Sequence, residues 1–287
     1  MATTSTAATA GPVIVRTLVQ LRRLTASWRK AGETSALIPT MGALHTGHLE
    51  LIKRGQTKAR RTVASIFVNP TQFAPHEDFT RYPRDEAGDV AKLADVGCDA
   101  VWAPGVEEMY RPGAATWIVP KGAALGLETD FRPHFFEGVA TVCCKLFTQS
   151  QADFAIFGEK DYQQLCVVRQ MVRDLDLPIE IVGMPTVREP DGVAMSSRNR
   201  YLSPQDRAAA PIIHRSIVDV ANHLKAGTEI DRATSEASAV LENAGFKVDY
   251  VAVRDAETLA AWDPRSQRPP RVLVAAWLGK TRLIDNL

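Results

Sequence analysis

The chain has 287 residues, 45% hydrophobic and 23% charged, and its 34 basic and 33 acidic residues leave a formal net charge of +1. That balance gives no reason to expect nucleic acid or an anionic membrane surface, and no apolar run approaches the roughly 20 residues that span a bilayer, so small-molecule partners, no nucleic acid and no membrane are expected. Four cysteines, Cys98, Cys143, Cys144 and Cys166, are too few and too scattered for a disulfide framework and form no CxxC pair, which fits a reduced cytoplasmic setting.

Residues 1–12 read as a disordered tail, rich in Ala and Thr and without the basic start and apolar core of a signal peptide. From Val13 to about Val182, short β-branched runs (SALIP, TVASIFV, DAVWAP, DFAIFG) alternate with amphipathic stretches, the pattern of βαβ units on a parallel sheet. A doubly wound, Rossmann-like α/β domain is therefore expected over residues 13–186. In its last helix, Asp161 to Leu175, the residues Leu165, Val168, Val172 and Leu175 recur at helical spacing and form a core-facing stripe. Turn formers around Pro185 to Gly192 place a domain boundary near Thr186. The chain beyond reads helical over Ser203 to Ala226 and Asp231 to Ala244, with Ser203-Pro204 as a cap and first-turn proline. It closes with the strand-like runs VDYVAV and RVLVAAWLG. A smaller C-terminal α+β domain, residues 187–287, is expected to act as a lid.

Four segments carry chemistry. In PTMGALHTGH, Pro39 to His48, a strand ends, a glycine turn follows, and His45 and His48 fall three apart where a helix begins. Unpaired N–H groups and the helix dipole favour an anion there, which suits ATP phosphates. The imidazoles can donate hydrogen bonds and, if protonated, offset charge developing on phosphate. Two surface histidines at a helix start would look the same, whereas zinc lacks HExxH or a nearby ligand partner. FVNPTQF follows a strand and offers the amides Asn69 and Gln72, suited to a small hydroxy acid but equally to a polar turn. FGEKDYQQL runs from an apolar strand into Gly158, Glu159, Lys160 and Asp161 at the ligand-binding edge of an open α/β sheet, with Gln163 and Gln164 beyond. Lys160 can neutralise phosphate, and Asp161 can accept from a ribose hydroxyl or sit near a metal; a solvated turn is the plain alternative. AMSSRNRYL sets Ser196 and Ser197 before Arg198 in a loop able to wrap a triphosphate, or to form a polar inter-domain turn.

Together, in this order, the four segments resemble the pantothenate synthetase (pantoate–β-alanine ligase) family of the His-x-Gly-His nucleotidyltransferase superfamily, from about Val15 to Asn286. The resemblance implies a homodimeric cytoplasmic enzyme that uses ATP with Mg²⁺ to join (R)-pantoate to β-alanine through a pantoyl-adenylate, releasing AMP and pyrophosphate. Carried over by position, Met41, Gly42, Ala43, Leu44, His45, Thr46, Gly47 and His48 line ATP, as do Gly158 to Asp161, Val187, Met195, Ser196, Ser197 and Arg198. Gln72 and Gln164 hold pantoate, Gln72 also meets β-alanine, and Asn69 joins them. His48, His45, Lys160, Ser196, Ser197 and Arg198 are the expected catalytic groups, and no magnesium ligand is assigned. The family's Arg-Pro-x-His-Phe is altered here: after Arg132 and Pro133, His134 stands one place early and Phe135 occupies the histidine position. Thr71 replaces a familiar methionine, and Gln151 a proline. Two rivals remain at this stage: a nucleotidyltransferase acting on a phosphate ester, which would want extra basic residues, and a nucleotide-binding module without catalysis.

Overall fold

The computed structural model describes residues 11–73, 79 and 82–287, so the tail expected over residues 1–12 lies outside them up to residue 10. Six strands form a parallel sheet: β1 (Val13–Val15), β2 (Ser35–Thr40), β3 (Arg61–Ile66), β4 (Ala100–Trp102), β5 (Phe154–Gly158) and β6 (Glu180–Met184). Their order is β1-β4-β3-β2-β5-β6, and each neighbouring pair is parallel. The connecting helices are α1 (Leu18–Lys30), α2 (Thr46–Gln56), α3 (Glu86–Asp95), α4 (Val106–Met109), α5 (Glu128–Phe131), α6 (Phe135–Ser150) and α7 (Tyr162–Asp174). This is the doubly wound α/β architecture anticipated above.

Helices on both faces explain why the strands are apolar throughout rather than alternating. Leu37 packs in one buried cluster with Leu21 of α1, Val139 of α6 and Leu165 of α7, while its neighbour Ile38 packs in another with Ile52 of α2 and Leu93 of α3. Along α7 the expected stripe holds for Leu165 and Val168, both fully buried, and for the partly buried Val172. Leu175 departs from it: the helix stops at Asp174, and Leu175 is 48% exposed just past its end.

From β2 the chain steps outward through β3 to β4, then returns to the other side of β2 as β5. The winding direction therefore reverses between β2 and β5, and the crevice at their carboxyl ends is where open α/β sheets bind ligands. PTMGALHTGH leaves β2 there and GEKD leaves β5 there.

After β6, helices α8 (Pro204–Ala209), α9 (Pro211–Lys225) and α10 (Ile230–Asn243) precede an antiparallel sheet of β7 (Phe246–Asp255), β8 (Pro270–Leu278) and β9 (Thr281–Asn286) in the order β7-β8-β9. The Ser203 hydroxyl caps α8, accepting from the Asp206 N–H at 3.1 Å. The single helix expected over Ser203 to Ala226 is two, because Pro211 has no N–H and its ring crowds the preceding turn. Ile213, Ile217 and Leu241 pack on Val253, Val272 and Val274 to give this half its own core.

Candidate active site

Between the two sheets lies a cavity of ≈ 970 Å³, a generous size for a nucleotide and small acids together. Its phosphate-like corner is built from the turn after β2. Gly42 and Ala43 take left-handed backbone angles, φ 81° and 51°. From α3 the buried Asp89 accepts the Leu44 N–H at 2.8 Å, and the Lys92 ammonium donates to the Leu44 carbonyl at 2.9 Å. So fixed, the turn delivers His45 as the cap of α2 and His48 in its first turn, rings 4.0 Å apart. Gly47 leaves room between them, since a Cβ there would lie 3.0 Å from the His45 ring and press on it.

The His45 N–H donates to His48 Nδ1 at 3.4 Å, so the neutral His48 carries its proton on Nε2 as a donor. Burial, reinforced by His45 and Lys160, drives the His48 pKa down to about 3. Burial together with Lys160 and Arg200 drives that of His45 down to about 4. Both rings are therefore neutral at pH 7, and the part open to them on this scaffold is hydrogen-bond donation rather than charge.

Beyond β5, Glu159 to Asp161 form a single 3₁₀ turn into α7. Its backbone is clasped from β9, where Asn286 Nδ2 donates to the carbonyls of Glu159 and Lys160 at 2.9 and 2.8 Å. Arg271 in turn donates to Asn286 Oδ1 at 2.8 Å and pairs with Glu159 at 3.4 Å. Glu159 is thus turned from the cavity, whereas Gly158, Lys160 and Asp161 line it. The opposite wall carries Val187 and the Met195 to Arg198 loop. Met195 is anchored by its N–H to the Val187 carbonyl at 2.9 Å, and the Ser196 hydroxyl accepts the Arg198 N–H at 3.2 Å. Met41, His45, Gly47 and His48 also line the cavity; Gly42, Ala43, Leu44 and Thr46 shape the turn behind them.

The far end holds the amides. Asn69, 1% exposed, uses its carboxamide fully: Oδ1 accepts from Tyr110 and Thr71 at 2.9 and 3.0 Å, and Nδ2 donates to Gln72 Oε1 and the Gly138 carbonyl at 3.1 and 3.2 Å. It reaches the cavity but is bound up in positioning Gln72. Among the described residues Gln72 Nε2 meets only the Met41 sulfur, at 3.0 Å, a weak acceptor that a ligand oxygen would outcompete. Gln163 and Gln164, indistinguishable in the sequence, separate here. Gln163 is buried and donates to the Ala123 and Gly126 carbonyls, while Gln164 lines the cavity with no hydrogen-bond partner among the described residues. His134 is exposed outside the cavity, and Phe135 lines it beneath the Arg132 guanidinium, 3.8 Å from the ring centre.

Sequence reasoning missed the groups that hold these parts in place. Asp89 and Asn286 fix the two ligand loops. Glu128 of α5 accepts Arg282 of β9 at 2.7 and 2.8 Å and the Tyr250 hydroxyl of β7 at 2.9 Å, tying α5 to the antiparallel sheet. Among the described residues, no group of three His, Cys, Asp or Glu side chains is placed to hold a metal, and no helix is long and apolar enough to cross a membrane.

Residues 13–287 match the family model described as pantoate-beta-alanine ligase. A relative named pantothenate synthetase 2, from Bradyrhizobium diazoefficiens, is 57% identical over 277 residues, covering 96% of this chain and 98% of the relative. The pantothenate synthetase of Caulobacter vibrioides is 54% identical with 96% and 98% coverage. Among solved structures, the pantothenate synthetase of Thermus thermophilus superposes with a TM-score of 0.88 at 45% identity, covering 96% of this chain and 98% of that one. A pantoate-beta-alanine ligase from Francisella tularensis, complexed with beta-gamma ATP and beta-alanine, gives 0.80 at 31% identity, with 96% and 97% coverage.

Proposed function

The chain belongs to the pantoate-beta-alanine ligase family, and from that premise we propose how its cavity carries out the ATP-dependent joining of pantoate to β-alanine. The observation that supports the reading is convergence: the His45–His48 pair, Lys160, the Ser196–Arg198 loop, Gln72 and Gln164 come from four separate segments and line one cavity at the switch point of the sheet.

In the first half-reaction the pantoate carboxylate attacks the α-phosphorus of ATP; a carboxyl O–P bond forms, the α–β bridging bond breaks, and pyrophosphate leaves. Lys160 and Arg198 oppose the added charge on the phosphoryl oxygens, and His48 Nε2–H, His45, Ser196 and Ser197 are placed to donate to them. The residues lining ATP are Met41, His45, Gly47, His48, Gly158, Lys160, Asp161, Val187 and Met195 to Arg198, with Gly42, Ala43, Leu44, Thr46 and Glu159 shaping the turns behind them and the α2 N-terminus toward the phosphates. Gln72 and Gln164 hold the pantoate hydroxyls, and Asn69 holds Gln72. In the second half-reaction the neutral β-alanine amine attacks the acyl carbon; the amide C–N bond forms, the nitrogen gives up one proton to solvent, the acyl C–O bond breaks, and AMP departs with one former carboxylate oxygen. Residues 13–186 form the ATP and pantoate domain, and residues 187–287 close over it as a lid that keeps water from the mixed anhydride.

The corner also fits Mg²⁺ arriving with the nucleotide. Glu128, Asp249 and Asp285 are each held by an arginine, so Asp161 is the cavity carboxylate among the described residues that would help hold such an ion. If bound, it would supply neutralising charge for the pyrophosphate. The reading includes a cytoplasmic homodimer. Its test is pantoate-dependent exchange of labelled pyrophosphate into ATP without β-alanine: exchange that requires pantoate is expected, and ATP binding with neither exchange nor AMP formation on adding β-alanine would overturn it.

A further inference from the structure

Lys160 carries the charge that the reading above, on which this inference rests, sets against the phosphoryl oxygens, yet the segment bearing it is a weak platform. Glu159 to Asp161 make a single 3₁₀ turn, and neither that turn nor α7 behind it has a side-chain cap. So short a stretch of 3₁₀ geometry holds poorly by itself. The Lys160 side chain is 20% exposed, and among the described residues its ammonium meets a carboxylate only at Asp161, 3.9 Å away. On a loose turn a four-carbon stem spreads its charge over many rotamers, and ordering it when the ligand arrives costs affinity.

Asn286 supplies the missing support from the far end of the chain, 127 and 126 positions beyond the two carbonyls it meets. Its carboxamide is fully used. Nδ2 donates to the Glu159 carbonyl at 2.9 Å and to the Lys160 carbonyl at 2.8 Å, while Oδ1 accepts from Arg271 Nε at 2.8 Å and from Arg271 Nη2 as well. Two donors and two lone pairs are all that an amide has. Asn286 therefore has nothing left for a ligand, although it borders the cavity. Its own place is set from three directions: β8 pairs Leu273 with Asn286, Arg271 lies over the Tyr162 ring at 4.0 Å, and the Asn286 N–H donates to Asp285 Oδ1 at 2.7 Å. Asp285 in turn accepts Arg188 at 2.6 and 2.9 Å, so the pair 285–286 is itself anchored in the smaller domain.

We propose that Asn286 is the positioning residue that presents Lys160 to the nucleotide phosphates, acting through the two backbone carbonyls and not by touching the ligand. Because Asn286 lies in the antiparallel sheet and Lys160 follows a strand of the parallel one, the ammonium takes its working place only while the two sheets are docked. Docking and presentation of charge are then one event.

The probe is α,β-methylene-ATP with magnesium, which binds without reacting, read by calorimetric titration of the full chain. K160A should bind it about 10- to 100-fold more weakly, the worth of a charge-assisted hydrogen bond to phosphate. N286A should lose about 3- to 10-fold in the native background and less than about twofold in K160A, because its effect passes through the ammonium. A merely structural role would cost the same factor in both backgrounds and would overturn the inference, as would native affinity in K160A. N286D keeps the shape and the acceptor for Arg271 but turns an oxygen toward two carbonyls, so it should bind at least as weakly as N286A. Affinity in N286D within about twofold of native would reduce Asn286 to packing and overturn the inference too. Should N286A fail to fold, R271Q, which frees Oδ1 and loosens the same turn, decides by the same comparison of two backgrounds. Absent pantoate-dependent exchange in the native protein sinks the ligase reading and leaves the coupling of Asn286 to Lys160 standing; equal losses beside normal exchange sink only the coupling.

Discussion

The two ends of the cavity are built on opposite electrostatic terms. At the far end, carboxylates and amides are met within the protein: Glu128 and Asp249 hold Arg282, whose Nη2 alone is left buried without a hydrogen-bond partner among the described residues, Tyr250 donates to Glu128, and Asn69 spends every polar atom of its side chain on neighbours. At the phosphate end, among the described residues, Lys160 has only Asp161 at 3.9 Å, and His45 Nδ1 is buried without a hydrogen-bond partner. Positive charge concentrates there, and the two histidines respond by staying neutral. The contrast teaches a division of labour. On the proposed reading, the more fully paired end gives shape before any ligand arrives, and the end where the Lys160 ammonium has only that long contact to Asp161 holds charge for a polyanion.

The sharpest way to break the satisfied end is Arg282→Ala, which strands Glu128 and Asp249 as buried carboxylates. A loss of about 3–5 kcal/mol in unfolding free energy is expected, read from urea denaturation; a loss below about 1 kcal/mol, the range of an exposed pair, would mean the network is not holding α5 to the antiparallel sheet. At the other end, Lys160→Ala should leave the fold intact and slow pyrophosphate exchange by about 10²–10³, or roughly 2.7–4 kcal/mol of transition-state stabilisation. If exchange survived in that variant, Lys160 would have to be removed from the chemistry.

Gly138→Ala tests how the far end gets its shape. A Cβ at position 138 would sit 2.5 Å from the Thr71 carbonyl, so the Asn69–Gln72 turn must move. We expect a stability loss of about 1–3 kcal/mol with a raised KM for pantoate, measured by denaturation and by exchange kinetics at varied pantoate. An unchanged KM would show that α6 does not set the position of Gln72.

The smallest effect concerns pH. A histidine whose pKa in the folded protein lies below its unfolded value takes up protons preferentially when unfolded. Stability contributed by His48 is therefore fully present above about pH 6.5 and is lost as pH falls from there toward its folded value of about 3. At about pH 5.5 that loss is roughly 1.4 kcal/mol for one such group, and His48→Gln should flatten the stability–pH curve by that amount. A variant curve parallel to the native one between about pH 7 and pH 5 would contradict the buried neutral imidazole.

This contrast also decides what could be read in the sequence. The phosphate end is local: the turn after β2, the turn after β5 and the Met195 to Arg198 loop each hold their reactive groups within a few residues, so periodicity and helix-start chemistry expose them. The doubly wound sheet was legible for the same reason, since β-branched runs and amphipathic stretches alternate along the chain. The satisfied end is not local. Glu128 meets Arg282 and Tyr250 across more than a hundred residues, and Asn286 reaches back to Lys160 through β9, a strand whose Arg282 and Asp285 hide it from a hydropathy pattern. The break at Pro211 stood in the sequence and was overridden there by a long amphipathic run. The difference between Gln163 and Gln164 needed the position of residues 123–126, which no spacing within FGEKDYQQL contains.

The central claim is that the phosphate end activates the pantoate carboxylate on the α-phosphorus before the amine is joined at the other end. It is tested most directly with pantoate carrying ¹⁸O in its carboxylate, ATP, magnesium and β-alanine, with mass analysis of the products. One labelled oxygen per turnover is expected in AMP and one in the new amide. Label appearing in inorganic phosphate, with ADP as the other product, would place the attack on the γ-phosphorus and contradict the account.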